Sequence, residues 1–203
     1  MNRSFEKLQI SGKEADAVFF HLPEEPDGYL SNWYISPFEL DGIRYSSAEQ
    51  YIMYQKCVMF GDTASAEAVL STDDPAKQQG IGRKASGFIG SVWSGMCQIV
   101  AYKGLLEKFR QNPGLKTQLL STGDAYLVEC ARTDKIWACG IRLDDPNHLV
   151  ADQWDGKNLL GFTLMQVRST LLEEEKRNIV YSEPENYFPK EIMEDYFSGP
   201  KED

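Results

Sequence analysis

Glu49 and Lys56 are an acid and an amine placed seven residues apart in a segment whose pattern predicts a helix. An α-helix turns by about 100° per residue, so residues seven apart return to the same face, about 10 Å apart along the axis. Ile52, Met53 and Phe60 fall on that face as well. A carboxyl group and an amine embedded in an apolar stripe could act together in acid–base or nucleophilic chemistry.

Both residues also have purely structural explanations. Ser46, followed three residues later by Glu49, predicts a capping box in which the glutamate only helps to start the helix. A lysine on an apolar face usually extends its amine to water. A desolvated lysine instead has a lowered pKa and can attack a sugar carbon. The residues themselves leave these alternatives open.

Asp134 is a candidate for a second carboxylate, in a turn between two predicted strands. Cleavage of a glycosidic bond needs two such groups: one protonates the leaving group, and the other handles water or stabilises positive charge. Trp93 and Trp137 could stack on a base, although such tryptophans more often belong to the core. Asn158 follows a glycine turn and caps a helix, whose N-terminal amides can bind an anion.

Arg168 lies on one face of the last core helix with Gly161 and Leu164. Because an arginine there cannot lose its charge, it must find a carboxylate, carbonyl groups or a phosphate. A structural ion pair and ligand binding explain it equally well.

The elements that must position these residues follow from hydrophobic periodicity and turn signals. We predict strands, a hairpin and helices at these places: a strand over 17–22, a hairpin turn at Asp41-Gly42, helices over 47–60, 62–70, 74–86, 91–111 and 112–120, strands over 126–131 and 136–141, and a helix after Asn158. In the long helix over 91–111, the predicted core stripe is Val92, Met96, Ile99, Val100, Leu106 and Phe109. The expected fold class is α+β, a mainly helical single domain with a small β-sheet. It would comprise a loosely ordered extension over 1–16, a catalytic domain over 17–173 and an acidic, aromatic-containing tail over 174–203.

Composition excludes several function classes. The formal charge of −10 over 203 residues disfavours non-specific binding to nucleic acids. Two histidines and four cysteines without a C-x-x-C pair argue against a metal site, a disulfide framework and a Ser-His-Asp triad. No apolar run could span a bilayer, and the N-terminus lacks a signal peptide. We therefore expect a cytoplasmic protein without metal, cofactor or membrane partner.

Four segments of the chain resemble the NADAR family, whose YbiA-like members share one domain. They lie in the family's order between about residues 18 and 172: "GYLSNWYISPFELDGIRYSSAEQYIMYQK", "VWSGMCQIVAYKGLLEKF", "LLSTGDAYLVECARTDKIWACG" and "GKNLLGFTLMQVRSTL". The resemblance implies a largely helical α+β domain and N-glycosidase activity on ribosides that carry phosphate. Family activities include cleavage of ribosylamino intermediates of riboflavin synthesis and removal of ADP-ribose from guanine.

Carried over to this sequence, the resemblance implies a pocket with residues of two kinds. The expected catalytic residues are Glu49, Lys56 and Asp134, and the expected substrate-binding residues are Asn32, Trp93, Trp137, Asn158 and Arg168. The expected reaction is metal-independent hydrolysis of the C1′–N bond of ADP-ribosylated guanine or of a ribosylamino-pyrimidine phosphate. Two alternatives are a module that binds ADP-ribose or a nucleotide without turnover, and a scaffold that recruits a partner through the tail.

Overall fold

The computed structural model of the protein describes residues 4–182, which form six α-helices and two small sheets. The strands are β1 (Glu6–Ile10), β2 (Lys13–Phe20), β3 (Ile35–Leu40), β4 (Ile43–Ser47) and β5 (Tyr126–Glu129). The helices are α1 (Ala48–Met59), α2 (Thr63–Leu70), α3 (Pro75–Gly82), α4 (Gly90–Gln111), α5 (Pro113–Leu120) and α6 (Leu159–Ser182). This mainly helical arrangement with small sheets confirms the predicted α+β class. None of the helices within residues 4–182 combines the length and the apolar character needed to cross a membrane.

The three-stranded sheet has the order β1-β2-β5, with β2 antiparallel to β1 and parallel to β5. Successive side chains of a strand point to opposite faces. Accordingly, Val18 and Phe20 of β2 belong to the main helical core, whereas Ala17 and Phe19 belong to a smaller apolar cluster on the other face. The sheet is therefore buried on both sides where it approaches the end of β5.

The expected loose order of residues 1–16 is wrong for residues 6–16. Strand β1 pairs with β2 along its whole length, from Glu6 opposite Ala17 to Ile10 opposite Lys13. The segment looks polar in sequence because much of this hairpin is exposed, while Leu8 is fully buried. At the other end, residues 174–182 continue α6, and the remainder of the predicted tail, 183–203, lies outside the described residues. The domain boundaries themselves stay a prediction.

The hairpin of β3 and β4 turns at Asp41 and Gly42, whose φ angles are 54° and 76°. Positive φ at both central residues is the signature of the predicted type I′ turn. The second predicted strand, 136–141, is wrong. The amides of Ile136 and Trp137 bind the side chain of Asp134 and so are not available to a neighbouring strand.

Helix α4 forms over nearly the predicted range, but half of its predicted core stripe is wrong. Val100, Leu106 and Phe109 are buried, whereas Val92, Met96 and Ile99 are exposed. The buried residues of α4 begin at Cys97, because the helix packs against its neighbours mainly through its C-terminal half.

Helix α6 approaches β5 most closely at Gly161. A Cβ atom there would lie 1.9 Å from the Leu127 carbonyl oxygen and 2.5 Å from Nδ2 of Asn158, so only glycine fits. This close approach brings the residue before α6, Asn158, against the backbone of β5.

Candidate active site

A cleft of about 470 Å³ collects most of the predicted site residues. Its walls come from α1, the end of α3, the start of α4, the end of β5 and the loop over 130–137. Six of the eight predicted residues line it: Asn32, Glu49, Lys56, Trp93, Asp134 and Trp137. Asn158 and Arg168 do not. As expected from helical periodicity, Glu49, Ile52, Met53 and Lys56 all face this cleft from α1.

Glu49 is not part of the helix cap. The Ser47 hydroxyl oxygen accepts a hydrogen bond from the Gln50 amide at 3.1 Å, and the Gln50 side-chain oxygen accepts one from the Ser46 amide at 2.6 Å. The predicted capping box of Ser46 and Glu49 is therefore wrong by one residue. The Glu49 amide donates to the Asn32 carbonyl oxygen at 3.0 Å. None of these bonds uses the Glu49 carboxyl group, which lines the cleft.

The Glu49 carboxyl group is buried, with 5% of the residue exposed, and its Oε1 has no hydrogen-bond partner among the described residues. The pKa of Glu49 is raised to about 7, mainly because the residue is buried. The positive charges of Arg83 and Lys56 oppose this shift, and the negative charge of Asp134 adds to it. A carboxyl group that ionises near neutral pH can serve as a general acid and as a general base.

Lys56 is also buried, and its amine lies among aromatic rings. Its Nζ is 4.3 Å from the centroid of the Phe88 ring and 5.7 Å from that of Trp93. Burial lowers the pKa of Lys56, and the nearby Arg83 adds to this effect. A lowered pKa increases the fraction of neutral, nucleophilic amine.

Asp134 organises the loop that forms the opposite wall. Its Oδ1 accepts hydrogen bonds from the amides of Ile136, at 2.9 Å, and Trp137, at 2.7 Å. An aspartate that binds the amides after it forms a tight local turn. This turn positions the half-buried Trp137 ring in the cleft, so Asp134 is both a wall residue and the support of another.

Glu129, the last residue of β5, is a cleft residue that sequence reasoning missed. The residue is half-buried, but its Oε2 is buried and has no hydrogen-bond partner among residues 4–182. The pKa of Glu129 is raised to about 8, mainly by burial and in part by the negative charges of Asp134 and Glu49. The available signal was an acidic residue inside the apolar run "YLVECA", since buried glutamates are rare.

Asn158 and Arg168 do not join the cleft, because their polar atoms bind the backbone of β5 and the turn before it. Within residues 4–182, strand β5 has a strand neighbour on one side only. On its open side, Asn158 Oδ1 accepts from the Glu129 amide at 3.0 Å, and Asn158 Nδ2 donates to the Leu127 carbonyl oxygen at 2.9 Å. The buried side chain of Asn158 thus makes the hydrogen bonds that a neighbouring strand would otherwise make with β5.

Arg168 has a similar structural role in the turn that precedes β5. Its Nη1 donates to the Thr122 hydroxyl oxygen at 2.6 Å and to the Ala125 carbonyl oxygen at 2.9 Å. These contacts fasten the turn that leads into β5. Of the alternatives raised by the sequence, binding to a carbonyl group therefore describes Arg168. The exposed cations that line the cleft are Arg83 and Lys135, which sequence reasoning did not assign, and Lys135 is paired with Asp155.

Comparisons with known proteins match the part of the chain that builds this cleft. The family model described as NADAR domain matches residues 18–172. An N-glycosidase of Acanthamoeba polyphaga mimivirus is 33% identical over 159 residues, which cover 74% of this chain and 94% of that protein. The N-glycosidase YbiA of Shigella flexneri is 30% identical over 154 residues, covering 76% of this chain and 88% of its own.

A further relative and a solved structure also match this chain. A riboflavin biosynthesis protein of Vibrio vulnificus is 32% identical over 163 residues, which cover 80% of this chain and 41% of that protein. The NMR structure of the Escherichia coli protein YbiA superimposes with a TM-score of 0.66 at 30% identity, covering 78% of this chain and 86% of that one.

Proposed function

This chain belongs to the NADAR domain family, and we propose on that basis that it is an N-glycosidase that hydrolyses the C1′–N bond of phosphorylated ribosides. The observation that carries the proposal is the buried Glu49 carboxyl group, which has an unpartnered oxygen in a cleft that also contains Lys56 and Asp134. The fold provides a cap without Glu49, so capping does not account for this burial.

Breaking the C1′–N bond leaves positive charge on the ribose and an electron pair on the departing nitrogen. Glu49 is the general acid/base of the proposed reaction, because its pKa of about 7 allows it to give and to take a proton at neutral pH. The Asp134 carboxylate stabilises the developing positive charge and orients the sugar. No step of this reaction requires a metal ion or an organic cofactor.

The remaining cleft residues bind the substrate. Trp93 and Trp137 offer aromatic surfaces for the base. Asn32, whose buried Oδ1 has no partner among residues 4–182, offers a polar contact. Arg83, exposed at the rim of the cleft, is the cation we assign to the phosphate, because Arg168 is committed to the turn before β5.

Two roles are open to Lys56. Its amine could attack C1′ and form a Schiff base with the ring-opened sugar, or its ammonium group could hold a ribose or phosphate oxygen. The buried, aromatic surroundings and the lowered pKa favour the first role.

Two substrates fit the proposal: ADP-ribosylated guanine and a ribosylamino-pyrimidine phosphate of riboflavin synthesis, the pathway named for the Vibrio relative. The charge of −10 favours a small metabolite or free nucleotide over intact nucleic acid. We place the activity in the cytoplasm, where the four free cysteines would stay reduced. The alternative function is a module that binds ADP-ribose or a nucleotide without turnover.

A substrate panel tests the proposal. The protein is incubated with a ribosylamino-pyrimidine phosphate, ADP-ribosylated guanosine or NAD, each with EDTA present, and released base is measured by liquid chromatography. Release from at least one substrate by the wild type, but not by Glu49→Gln, is the expected result. Binding of these compounds without release of base would instead identify a binding module.

A further inference from the structure

Both backbone polar groups of Glu129 are hydrogen-bonded, and these two bonds fix the direction of its side chain. The amide donates to Asn158 Oδ1 at 3.0 Å, and the carbonyl oxygen accepts from the Cys139 amide at 2.8 Å. Asn158 is itself fixed by its second bond, to the Leu127 carbonyl oxygen. The end of β5 is therefore a rigid support that presents the Glu129 carboxyl group to the cleft.

The burial of one oxygen of this carboxyl group, Oε2, needs an explanation that the fold does not supply. Leaving a buried polar atom without a hydrogen bond costs about 1–3 kcal/mol, and Oε2 of Glu129 has no partner among residues 4–182. Glu129 binds Asn158 through its backbone amide and not through its side chain, so an apolar residue here would keep that hydrogen bond. An unpartnered carboxyl group facing a cleft is therefore explained by what enters the cleft.

We propose that Glu129 is a second catalytic carboxyl group, which protonates the departing nitrogen while Glu49 accepts a proton from the group that attacks C1′. This inference rests on the N-glycosidase activity proposed above and divides its acid and base roles between two side chains. Asn158 is then a positioning residue, because it acts on the substrate only through Glu129.

The step balances as a hydrolysis. The Glu129 proton moves to the nitrogen as the electron pair of the C1′–N bond passes to that atom. The attacking group, the Lys56 amine or a water molecule, bonds to C1′ and passes one proton to the Glu49 carboxylate. If Lys56 attacks, water then hydrolyses the Schiff base, which releases the sugar and restores the amine. Glu129 ends as a carboxylate and Glu49 as an acid, and proton exchange with solvent restores both. Asp134 keeps its role of stabilising the positive sugar.

The electrostatics of the pair support this division. Burial raises the pKa of Glu49 to about 7 and that of Glu129 to about 8, and the charge of Glu49 itself contributes to the higher value. Once Glu49 has ionised, its negative charge thus favours the protonated form of Glu129. Two carboxyl groups whose surroundings separate their pKa values are the usual basis for one acid and one base in a single site.

The test compares Glu129→Gln with the wild type on a substrate that the wild type cleaves. We expect kcat to fall by about 100-fold or more, the contribution typical of a general acid. KM should stay within about threefold, and the alkaline limb of the kcat profile should disappear with the acid that causes it. Glu129→Asp, which keeps an ionisable group, should retain that limb at reduced kcat. Glu14→Gln, on an exposed part of β2, is the matched control and should behave as wild type.

Each other outcome contradicts the inference in a recognisable way. A folded Glu129→Gln variant with kcat and pH profile close to wild type would overturn it and leave the proposed function intact. A wild type that releases no base would overturn both. If circular dichroism shows that Glu129→Gln does not fold, the wild-type profile decides: an alkaline limb near pH 8 that Glu129→Asp retains supports the inference, and its absence overturns it.

Discussion

The hydroxyl oxygen of Ser47 accepts a hydrogen bond from the amide of Gln50 at 3.1 Å, and this bond caps α1. Glu49, between these two residues, is therefore free of the structural role that its position first indicates. The positive end of a helix dipole favours an ionised carboxylate there, yet the pKa of Glu49 is raised because burial outweighs that attraction. This balance suits a group that must exchange protons.

Separate substitutions should distinguish capping from catalysis. We expect Glu49→Gln to keep the melting temperature and to lower turnover by about 100-fold or more, because an amide cannot exchange the proton. Ser47→Ala should keep turnover close to wild type and reduce the free energy of unfolding by about 1 kcal/mol, the usual cost of losing a cap. Thermal denaturation and base release, measured on both variants, check this prediction. Near-normal turnover in folded Glu49→Gln would remove Glu49 from the mechanism.

Glu49 and Glu129 should make stability depend on pH. Their folded pKa values, about 7 for Glu49 and about 8 for Glu129, lie above the ordinary value of 4.5. The folded state therefore binds these protons more tightly than the unfolded state, so their contribution is fully present below pH 4.5 and is lost as pH rises through 7 and 8.

Urea unfolding between pH 5 and pH 8.5 measures this effect. Relative to wild type, Glu49→Gln should remove a decline of about 2–3 kcal/mol and Glu129→Gln one of about 4 kcal/mol, because an amide does not ionise. Comparing each variant with wild type cancels the titration of other groups. Parallel curves for wild type and both variants would show that these carboxyl groups titrate normally.

Lys56 should be trapped covalently during turnover. With borohydride and a cleaved substrate, we expect peptide mass spectrometry to find the reduced sugar on Lys56, since its pKa is lowered and it lines the cleft. The exposed Lys84 should remain unmodified. Lys56→Arg keeps the positive charge but cannot form a Schiff base, so it should be inactive. An active Lys56→Arg variant and an unmodified Lys56 peptide would assign the residue to charge stabilisation alone.

Lys108, fully buried in α4, should stabilise the loop that carries Asn32. Its Nζ donates to the carbonyl oxygens of Tyr29, at 2.8 Å, and Ser31, at 2.9 Å. Lys108→Met should lower the free energy of unfolding by about 1–3 kcal/mol, because two buried carbonyl groups lose a donor. Amide hydrogen exchange over 31–34 should become faster as the loop loosens.

The control for this prediction lies on the same helix. Lys103 is exposed, and Lys103→Met should leave both stability and exchange close to wild type. If Lys108→Met left exchange over 31–34 unchanged, Lys108 would not be the support of this loop.

Local rules in the sequence were enough to predict part of the cleft. Helical periodicity alone placed Glu49 and Lys56 on one face of α1, and both line the cleft. Asp41-Gly42 identified the hairpin, because a type I′ turn needs two residues that tolerate positive φ. The resemblance to a family added Asn32, and it made expected site residues of Trp93 and Asp134, which the residues alone had left as candidates.

The sequence by itself determined where helices and turns form and which residues share a face, because these depend on neighbours within a few positions along the chain. Only the tertiary structure decided how buried polar groups are paired. Asn158 and Arg168 look like ligand-binding residues until the structure shows that Asn158 binds the open side of β5 and Arg168 binds the turn before it. Glu129 looks like an ordinary strand residue until its carboxyl group is found in the cleft without a partner. Whether a buried polar atom is satisfied depends on elements distant in sequence, so that information exists only once the chain has folded.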